Sequence, residues 1–244
     1  MRKTLKRINA KEAFEPSIIG VLINPFYFAR RGLYKNIRNL SFHISGKVLD
    51  VGCGRKPYKN LFQYSEYIGI DIENVGHSHV DEEIDIYYDG KIFPLKNSEF
   101  DNIICNQVLE HVFTPDDFLR EIHRVLRKDG KLLLTVPFVW DEHEQPNDFA
   151  RYSSFGIKFL LEKNGFSVIH HSKSVNNITV IFQLINAYIY KKLMTKGRGF
   201  YYIALFVLIF PINVLGCVFN FILPRNNDLF LDNIVLAQKV EIAS

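Results

Sequence analysis

The stretch Val48-Leu49-Asp50-Val51-Gly52-Cys53-Gly54 is an apolar, β-branched run that ends in an acid and two closely spaced glycines. Such a run predicts a buried strand, and the glycines predict a sharp turn whose backbone a ligand can approach closely. Open α/β sheets hold nucleotide-like molecules with a strand, a glycine turn and a following helix. The stretch therefore predicts the first strand of such a sheet, with a ligand at its carboxyl end.

Short apolar or β-branched runs alternate with helical patterns from Lys47 to Phe138. This alternation is typical of a βαβ series with a parallel sheet. We therefore predict an α/β fold, namely a doubly wound, mostly parallel, seven-stranded Rossmann-like sheet with an apolar helical insertion between its last two strands. The predicted strands are Lys47 to Val51, Tyr67 to Ile72, Ile84 to Tyr88, Phe100 to Asn106, Lys131 to Phe138, Phe166 to Ser174 and Leu231 to Val240.

Two helices are predicted within this core. The first begins at Thr114-Pro115-Asp116-Asp117, where threonine suits the N-cap, proline the first turn and the acids the positive helix end. Gly130 is predicted to stop it in a left-handed conformation. The second helix is predicted from Ser153 or Ser154 to Lys163. The first helix has a predicted core face of Phe118, Leu119, Ile122, Val125 and Leu126.

Composition limits the size and class of the protein. A chain of 244 residues, 48% hydrophobic and 23% charged, fits one globular domain with a large core. The net charge of +4 is small and does not favour a nucleic-acid partner. Three cysteines without disulfide or zinc spacing indicate a reducing cytosol.

The chain divides by composition into four predicted segments. Residues 1–46 form a basic N-terminal helical arm, which suits anionic lipid or RNA, although its basic residues fit a solvated tail better. Residues 47–175 form the ligand-binding core, and 176–230 the apolar helical insertion. Residues 231–244 supply the final strand and a tail.

Glycine spacing separates two classes of cofactor. The dinucleotide fingerprint G-x-G-x-x-G would place its third glycine at position 57, where this chain has Pro57. An acid followed by G-x-G instead resembles the first motif of class I S-adenosylmethionine-dependent methyltransferases of the small-molecule and glycan type. The run from Phe100 to Val112 resembles the family's fourth strand and its exit into a helix. The resemblance covers roughly Lys47 to Phe166 and implies S-adenosylmethionine as the cofactor.

The resemblance also implies cofactor-binding residues at the carboxyl ends of successive strands. Asp71 ends the second strand, where the family places an acid that accepts hydrogen bonds from a ribose diol. Asp89 is the implied partner of the adenine amino group; Asp85 is the alternative, and an ordinary Asp-Gly turn would also explain the pair Asp89-Gly90. The implied cofactor-binding residues are Asp50, Gly52, Cys53, Gly54, Asp71, Asp89, Gly90 and Asn106.

Lys56 departs from the G-x-G-x-G pattern of many family members, because it stands where they have the last glycine. We expect Lys56 to adopt a backbone conformation that glycine takes easily. Its ammonium group would then be placed to pair with the methionyl carboxylate of the cofactor.

The segment from Pro137 to Tyr152 follows the fifth strand and is expected to lie over the acceptor pocket. His143 is the first candidate for a general base, because an imidazole flanked by acids titrates near neutral pH. His111 is the second candidate. The alternatives are a surface histidine at 143 and a histidine bonded within the fold at 111. Residues expected to bind the acceptor or fix the loop are Asp148, Arg151 and Tyr152.

Other histidines do not predict a metal site. His77-Ser78-His79 lies in a predicted loop, and the neighbours His170 and His171 point to opposite faces of a strand. We predict no bound metal.

The insertion is conspicuously apolar. Asn177 to Tyr190 predicts one helix, and Phe200 to Leu223 has no charged residue and is long enough to span a bilayer. A single crossing would leave the last strand on the far side, away from its sheet. We therefore predict a hairpin in the membrane interface, the alternatives being an apolar cap or a homodimer interface. Expected interruptions are Pro211, Asn213, Gly216 and Asn220, and the basic rim comprises Lys191, Lys192, Lys196, Arg198 and Arg225.

These observations predict a cytoplasmic methyltransferase held peripherally on the inner face of the cell membrane. The expected reaction is in-line transfer of a methyl group to an oxygen or nitrogen of a sugar, polysaccharide or lipid-linked acceptor. The acceptor class rests on the resemblance, since similar domains accompany bacterial polysaccharide and glycolipid assembly. The alternatives are a non-catalytic adaptor with the same fold and a dinucleotide-dependent Rossmann enzyme.

Overall fold

The computed structural model describes residues 11–73, 83–193 and 197–241. The chain forms two compact units. The helical unit consists of Met1–Asn36, Val139–Asp141 and Lys173–Asp232, and the sheet unit of Ile37–Phe138, Glu142–Ser172 and Asn233–Ser244.

Seven strands form one sheet in the order β3-β2-β1-β4-β5-β7-β6. The pairs β1 with β2, β1 with β4, β2 with β3 and β4 with β5 are parallel. The order reverses between β1 and β4, and doubly wound sheets bind ligands at such a switch point. The strands are β1 Lys47–Val51, β2 Glu66–Ile72, β3 Ile86–Tyr88, β4 Phe100–Asn106, β5 Leu126–Pro137, β6 Phe166–Ser174 and β7 Asp232–Lys239.

The sheet confirms the predicted fold class. Strands β1, β4 and β6 have the predicted ends, whereas β3 is shorter and β5 begins at Leu126 rather than Lys131. Strand β1 is buried over four of its five residues. A strand covered on both faces takes a continuous apolar sequence instead of an alternating one. This explains why β1 contains the apolar residues Val48, Leu49 and Val51 so close together in sequence.

Helices α3 and α4 belong to the sheet unit, where α3 is Pro115–Val125 and α4 is Ser154–Lys163. Four of the five residues predicted for the core face of α3 are buried on that helix, namely Phe118, Leu119, Ile122 and Val125; the fifth, Leu126, is also buried but begins β5. Ser153 caps α4 by accepting a hydrogen bond from the backbone N–H of Gly156. Thr114 is the N-cap residue of α3, as predicted, although its side chain makes no capping hydrogen bond.

The prediction that Gly130 ends helix α3 was wrong. Helix α3 ends at Val125, and Gly130 lies inside β5. A Cβ at Gly130 would come within 2.7 Å of the carbonyl oxygen of Asp101, so this glycine permits close packing of neighbouring backbones. The left-handed residue in this region is Asp129, with φ of 59°.

The helical unit contains α1 Gly20–Ile23, the greater part of α2 Tyr27–Leu40 and α5 Thr179–Leu193. It also contains one continuous helical stretch, made of α6 Arg198–Ala204, a π-helical segment Leu205–Ile209 and α7 Phe210–Ile222. The expected interruptions between Pro211 and Asn220 do not occur. Pro211 is tolerated because it lies in the first turn of α7, directly after the π-helical segment.

Gly199–Ile222 is 24 residues long, has a mean hydropathy of 2.4 and is long and apolar enough to cross a membrane by length and composition. Only 28% of its most apolar window is buried. A core helix of a water-soluble domain of this hydropathy would be mostly buried.

Candidate cofactor and acceptor site

The turn after β1 has three residues in the left-handed region: Gly52 at φ 67°, Gly54 at 45° and Lys56 at 48°. The backbone N–H of Gly52 donates to the carbonyl of Ile70 on β2 at 2.9 Å. A Cβ at Gly52 would lie 2.3 Å from Cγ2 of Val108, whereas a Cβ at Gly54 would meet nothing within 4 Å. The first glycine is therefore required for packing, and the second leaves open space beside the turn.

Asp71 reaches this turn from the end of β2. Its Oδ2 accepts a hydrogen bond from the backbone N–H of Gly54 at 2.9 Å, and its Oδ1 accepts from the N–H of Ile72 at 2.8 Å. These bonds fix the carboxylate beside the open space at Gly54. A carboxylate held in this way can accept further hydrogen bonds from a diol.

Asp50 is buried in β1, and the hydroxyl of Tyr67 donates to its Oδ2 at 2.6 Å. Burial raises the pKa of Asp50 to about 7, although the hydrogen bond from Tyr67 and the charge of Lys56 oppose this rise. The hydrogen bond from Tyr67 on β2 thus holds the Asp50 side chain in place on β1, the strand that leads into the glycine turn. Tyr67 was not a predicted site residue, since nothing in the sequence links a β2 tyrosine to an acid on β1.

Lys56 is buried and its Nζ lies 2.5 Å from Oδ2 of Asp85. The same oxygen accepts from the backbone N–H of Gly69 at 2.6 Å. A Cβ at Gly69 would come within 2.3 Å of Cε of Lys56 and 2.5 Å of Sγ of Cys53. Gly69 thus makes room for the side chain of Lys56, and sequence reasoning missed this role.

The pair Asp89-Gly90 forms a turn after β3. Oδ1 of Asp89 accepts from the backbone N–H groups of Lys91 and Ile92 at 2.9 and 3.1 Å, and Gly90 has φ of 81°. These backbone hydrogen bonds lower the pKa of the exposed Asp89 carboxyl. The turn explains Asp89 structurally, and its contact with adenine stays a prediction.

Asn106 ends β4 and lies beside Thr135 of β5. The Thr135 hydroxyl donates a hydrogen bond to Oδ1 of Asn106 at 3.4 Å. Strand β4 lies next to β1, with Cys105 opposite Val51. Asn106 therefore stands at the same carboxyl edge of the sheet as the glycine turn. Cys53, in that turn, is buried, and burial raises the pKa of its thiol.

His111 and His143 form a pair between the turn that follows β4 and the loop that follows β5. Their ring centroids lie 4.8 Å apart at an interplanar angle of 78°. His111 ends the short helical turn Leu109–His111 after β4, and His143 lies in the loop after β5. The structure brings together the two histidines that sequence analysis named separately.

The loop that carries His143 is fixed by hydrogen bonds to the turn of His111. The carbonyl of Glu110 accepts from the N–H groups of Phe149 and Ala150 at 2.8 and 3.2 Å. Asp148 accepts from the backbone N–H of His143 at 2.9 Å and from both terminal nitrogens of Arg151 at 2.6 Å. Asp148 and Arg151 therefore hold the loop.

The Asp148 carboxyl stays ionised even at pH values well below neutral. Burial raises the pKa of its carboxyl, but hydrogen bonds from Arg151 and the backbone of His143 outweigh burial and bring the pKa to about 2. Oδ2 of Asp148 lies 3.4 Å from Nδ1 of His143. A permanent carboxylate at this distance orients the imidazole ring.

The remaining histidines have other surroundings. His171 Nε2 lies 2.9 Å from the side-chain oxygen of Asn233 on β7, and His170 is exposed on β6. His77 and His79 lie outside the described residues.

A sequence profile described as a methyltransferase domain matches residues 26–171, which is more than half of the chain. The chain belongs to the class I S-adenosylmethionine-dependent methyltransferases. It is an enzyme of this family, and its cofactor is S-adenosylmethionine. The match spans the glycine turn, Asp71 and the histidine pair, and it excludes the dinucleotide alternative.

Two relatives are similar to this chain in sequence, and a solved structure is similar to it in fold. An uncharacterized protein of Methanocaldococcus jannaschii is 31% identical over 73% of this chain and 80% of its own length. A probable S-adenosylmethionine-dependent methyltransferase of Mycolicibacterium smegmatis is 28% identical over 50% of each chain. A Haemonchus contortus phosphoethanolamine N-methyltransferase, solved with S-adenosyl-L-methionine, has a TM-score of 0.55 at 16% identity, covering 96% of this chain and 60% of that one.

The residues of this methyltransferase fit its cofactor at the carboxyl edge of β1, β2 and β4. The turn offers open space at Gly54 and a fixed carboxylate at Asp71. S-adenosylmethionine carries no phosphate, so its site does not require the dinucleotide fingerprint, whose third glycine is replaced here by Pro57.

Proposed function

We propose that this methyltransferase transfers the methyl group to an oxygen, or alternatively a nitrogen, of a sugar, polysaccharide or lipid-linked acceptor at the surface of a membrane. The observation that carries the proposal is the outward face of the helical stretch Arg198–Ile222. That stretch lies between β6 and β7, where it lengthens the connection between the last two strands.

One polar and one small residue of the helical stretch, Asn213 and Gly216, lie inside the helical unit, whereas Asn220 is exposed. Asn213 is buried, donates to the carbonyls of Val21 and Asn24 at 2.9 and 3.2 Å, and accepts from Asn186 at 2.8 Å. Gly216 packs against Phe28, whose ring would lie 2.6 Å from a Cβ there. Residues 205, 209, 213 and 216 share the helical spacing of one buried stripe.

The opposite face is exposed and apolar. Phe221 is 92% exposed, and the exposed face also includes Phe206 and Ile222. A helix of a water-soluble protein places polar residues on this face, and contiguous apolar surface marks an interaction site. The other exposed apolar residues are Phe200, Tyr202, Ile203, Val207, Val214, Leu215, Val218, Phe219 and Leu223.

Basic side chains stand near the ends of the apolar helices. Lys191, Lys192 and Arg225 are exposed; Lys191 lies 2.7 Å from Asp141. Each basic group near an anionic lipid surface contributes roughly 1 kcal/mol to binding. Because β6 and β7 both belong to the sheet, the insertion leaves and returns on one side of the membrane, which favours a hairpin in the interface over a single crossing.

The proposed roles in catalysis follow from the site. S-adenosylmethionine supplies a methyl group already activated on sulfur. Asp71 binds the ribose diol, and the turn at Gly52 and Gly54 lets the cofactor approach the backbone. His143 and His111 act on the acceptor by helping to remove its proton, and Asp148 with Arg151 keeps His143 in place.

Vesicle cosedimentation tests the membrane part of the proposal. We expect the full chain to bind vesicles of phosphatidylglycerol and phosphatidylcholine, and the variant Ile203→Ser/Val207→Ser/Phe221→Ser to lose most of this binding, since each apolar side chain contributes about 1.5–3 kcal/mol when buried. The control Phe155→Ser/Phe159→Ser removes two exposed phenylalanines from α4 and should bind like the wild type. A detergent-free, vesicle-independent dimer that the triple variant dissociates would overturn this part.

Methyl transfer to a membrane extract tests the acceptor. With S-adenosylmethionine labelled on its methyl group, we expect label in the lipid-linked glycan fraction, and loss of that label with the triple variant. Label confined to protein or to water-soluble amines would refute the proposed acceptor class.

A further inference from the structure

Glu110, His111 and His143 offer three ligand atoms that all lie within 4.8 Å of one another. Glu110 and His111 come from the turn after β4, and His143 from the loop after β5. Glu110 is fully buried, with 0% of its surface exposed. Placing a carboxylate in such a position is costly unless positive charge accompanies it.

His111 is oriented as a metal-ligating imidazole. Its Nδ1 lies 2.7 Å from the backbone carbonyl of Asn147, which can only accept a hydrogen bond. Nδ1 therefore carries the proton, and Nε2 carries the lone pair. Nε2 lies 3.8 Å from Oε1 of Glu110 and 4.0 Å from Oε2 of Glu144, so it faces two carboxylates.

His143 is held from its Nδ1 side. That atom lies 3.4 Å from Oδ2 of Asp148 and 3.5 Å from the guanidinium of Arg151. Metal-binding histidines commonly have such a carboxylate or carbonyl on the ring nitrogen opposite the metal, which fixes the ring. His111 with its carbonyl and His143 with its carboxylate both match this arrangement.

We propose that Glu110, His111 and His143 bind a divalent transition-metal cation and leave its fourth coordination position open. Two imidazoles and a carboxylate favour Zn²⁺, Mn²⁺ or Fe²⁺ over Mg²⁺, which prefers oxygen ligands. Bonds of about 2.1 Å place tetrahedral ligand atoms about 3.4 Å apart, so the three side chains need to draw together by roughly 1 Å.

This inference rests on the proposed function and deepens it. A cation held by these residues would lower the pKa of an acceptor hydroxyl at the open position, so that the hydroxyl would lose its proton to solvent water before its oxygen takes the methyl group and the thioether of adenosylhomocysteine leaves. The two histidines would then act as ligands and not as proton acceptors. The acceptor class would be hydroxyl compounds that can also contact the metal.

Calorimetric titration of the EDTA-treated full chain with Zn²⁺ and with Mn²⁺ tests the site directly. We expect one ion per chain and at least tenfold tighter binding of Zn²⁺ than of Mn²⁺, following the usual affinity order. Glu110→Gln and His143→Gln should each weaken Zn²⁺ binding at least tenfold, and His170→Gln, an exposed histidine on β6, should leave it unchanged. His143 lies in a loop, so its variant remains informative where the buried Glu110 variant does not fold.

Adenosylhomocysteine binding, measured on the same samples, separates the two proposals. Unchanged adenosylhomocysteine affinity in His143→Gln, together with lost Zn²⁺ binding, supports the metal site. Zn²⁺ binding that is absent, or equal in wild type and His143→Gln, overturns it. Full methyl transfer by the metal-free enzyme would overturn the metal's role and leave the proposed function standing. Stoichiometric Zn²⁺ binding without methyl transfer to any membrane fraction would support the metal site and overturn the proposed function.

Discussion

The ammonium of Lys56 lies 2.5 Å from Oδ2 of Asp85, in a turn where Lys56 has a φ of 48°, a conformation that glycine takes more easily. The Lys56 side chain is 3% exposed, and that of Asp85 is 47% exposed. The lysine therefore depends on this partner far more than the aspartate does. The pair ties the glycine turn after β1 to the segment that precedes β3.

Asp85→Asn should lower the free energy of unfolding by about 1–2 kcal/mol, because it leaves the buried ammonium of Lys56 without its carboxylate. The loss is no larger because Asp85 is exposed to solvent, which weakens the ion pair. Urea denaturation measures this loss. The double variant Lys56→Met/Asp85→Asn should recover part of it, since no buried charge remains. An Asp85→Asn protein as stable as the wild type would show that the pair contributes nothing.

Gly52→Ala and Gly54→Ala should separate folding from cofactor binding. Gly52→Ala places a Cβ 2.3 Å from Val108, so we expect a loss of about 2 kcal/mol or more of stability. Gly54→Ala meets no neighbouring atom, so its cost is limited to about 1 kcal/mol of backbone strain at φ 45°.

Adenosylhomocysteine titration and thermal denaturation of both variants check this expectation. Gly54→Ala should bind adenosylhomocysteine at least tenfold more weakly, because its methyl group fills space that the cofactor needs. Adding Val108→Ala to Gly52→Ala should restore part of the stability. Equal cofactor affinity in Gly54→Ala and wild type would place the cofactor elsewhere.

Asp50→Asn should change how stability depends on pH. Burial raises the folded-state pKa of Asp50 from the ordinary 3.8 to about 7, so the folded protein binds the proton more tightly than the unfolded chain between these values. The free energy of unfolding of the wild type should therefore fall as pH rises from about 4 to about 7, by up to about 4 kcal/mol relative to Asp50→Asn.

Urea denaturation at a series of pH values measures this difference. Tyr67→Phe removes the hydrogen bond that holds the pKa of Asp50 down, so the fall should extend to higher pH in that variant. A difference between wild type and Asp50→Asn that is constant from pH 4 to pH 7 would contradict the assigned pKa.

Arg151→Met should lower the rate of methyl transfer about tenfold or more, because Asp148 would lose the partner with which it holds the His143 loop. Adenosylhomocysteine affinity should stay unchanged, since the loop lies on the acceptor side. Lys163→Met, which breaks an exposed pair with Asp116, is the matched control and should leave both quantities unchanged. Equal losses in both variants would mean that the loop is not specifically involved.

The sheet and the geometry of its carboxyl edge were predictable because they depend on local patterns. Apolar runs and glycines give β1, β4 and the turn, and the short spacing between Gly54 and Asp71 places both at one edge. The support that Tyr67 gives to Asp50 was not predictable, because it depends on strand register and not on sequence distance.

The acceptor side was predicted only as separate residues. His111 and His143 were named, but their contact and the part played by Glu110 depend on how the loop after β5 folds back onto the turn after β4. The polar residues of the insertion were taken as interruptions, because sequence alone does not show that Asn213 and Gly216 share a buried face with hydrogen-bond and packing partners.

Calorimetric titration with adenosylhomocysteine tests most directly the central claim that the carboxyl edge of β1, β2 and β4 binds the cofactor. The wild type should bind one molecule per chain and bind NAD far more weakly. Asp71→Ala should lose about 10–100-fold in affinity, as expected when a hydrogen-bonded carboxylate is removed from a ligand. Affinity of Asp71→Ala equal to that of the wild type, or equal binding of NAD, would contradict the claim.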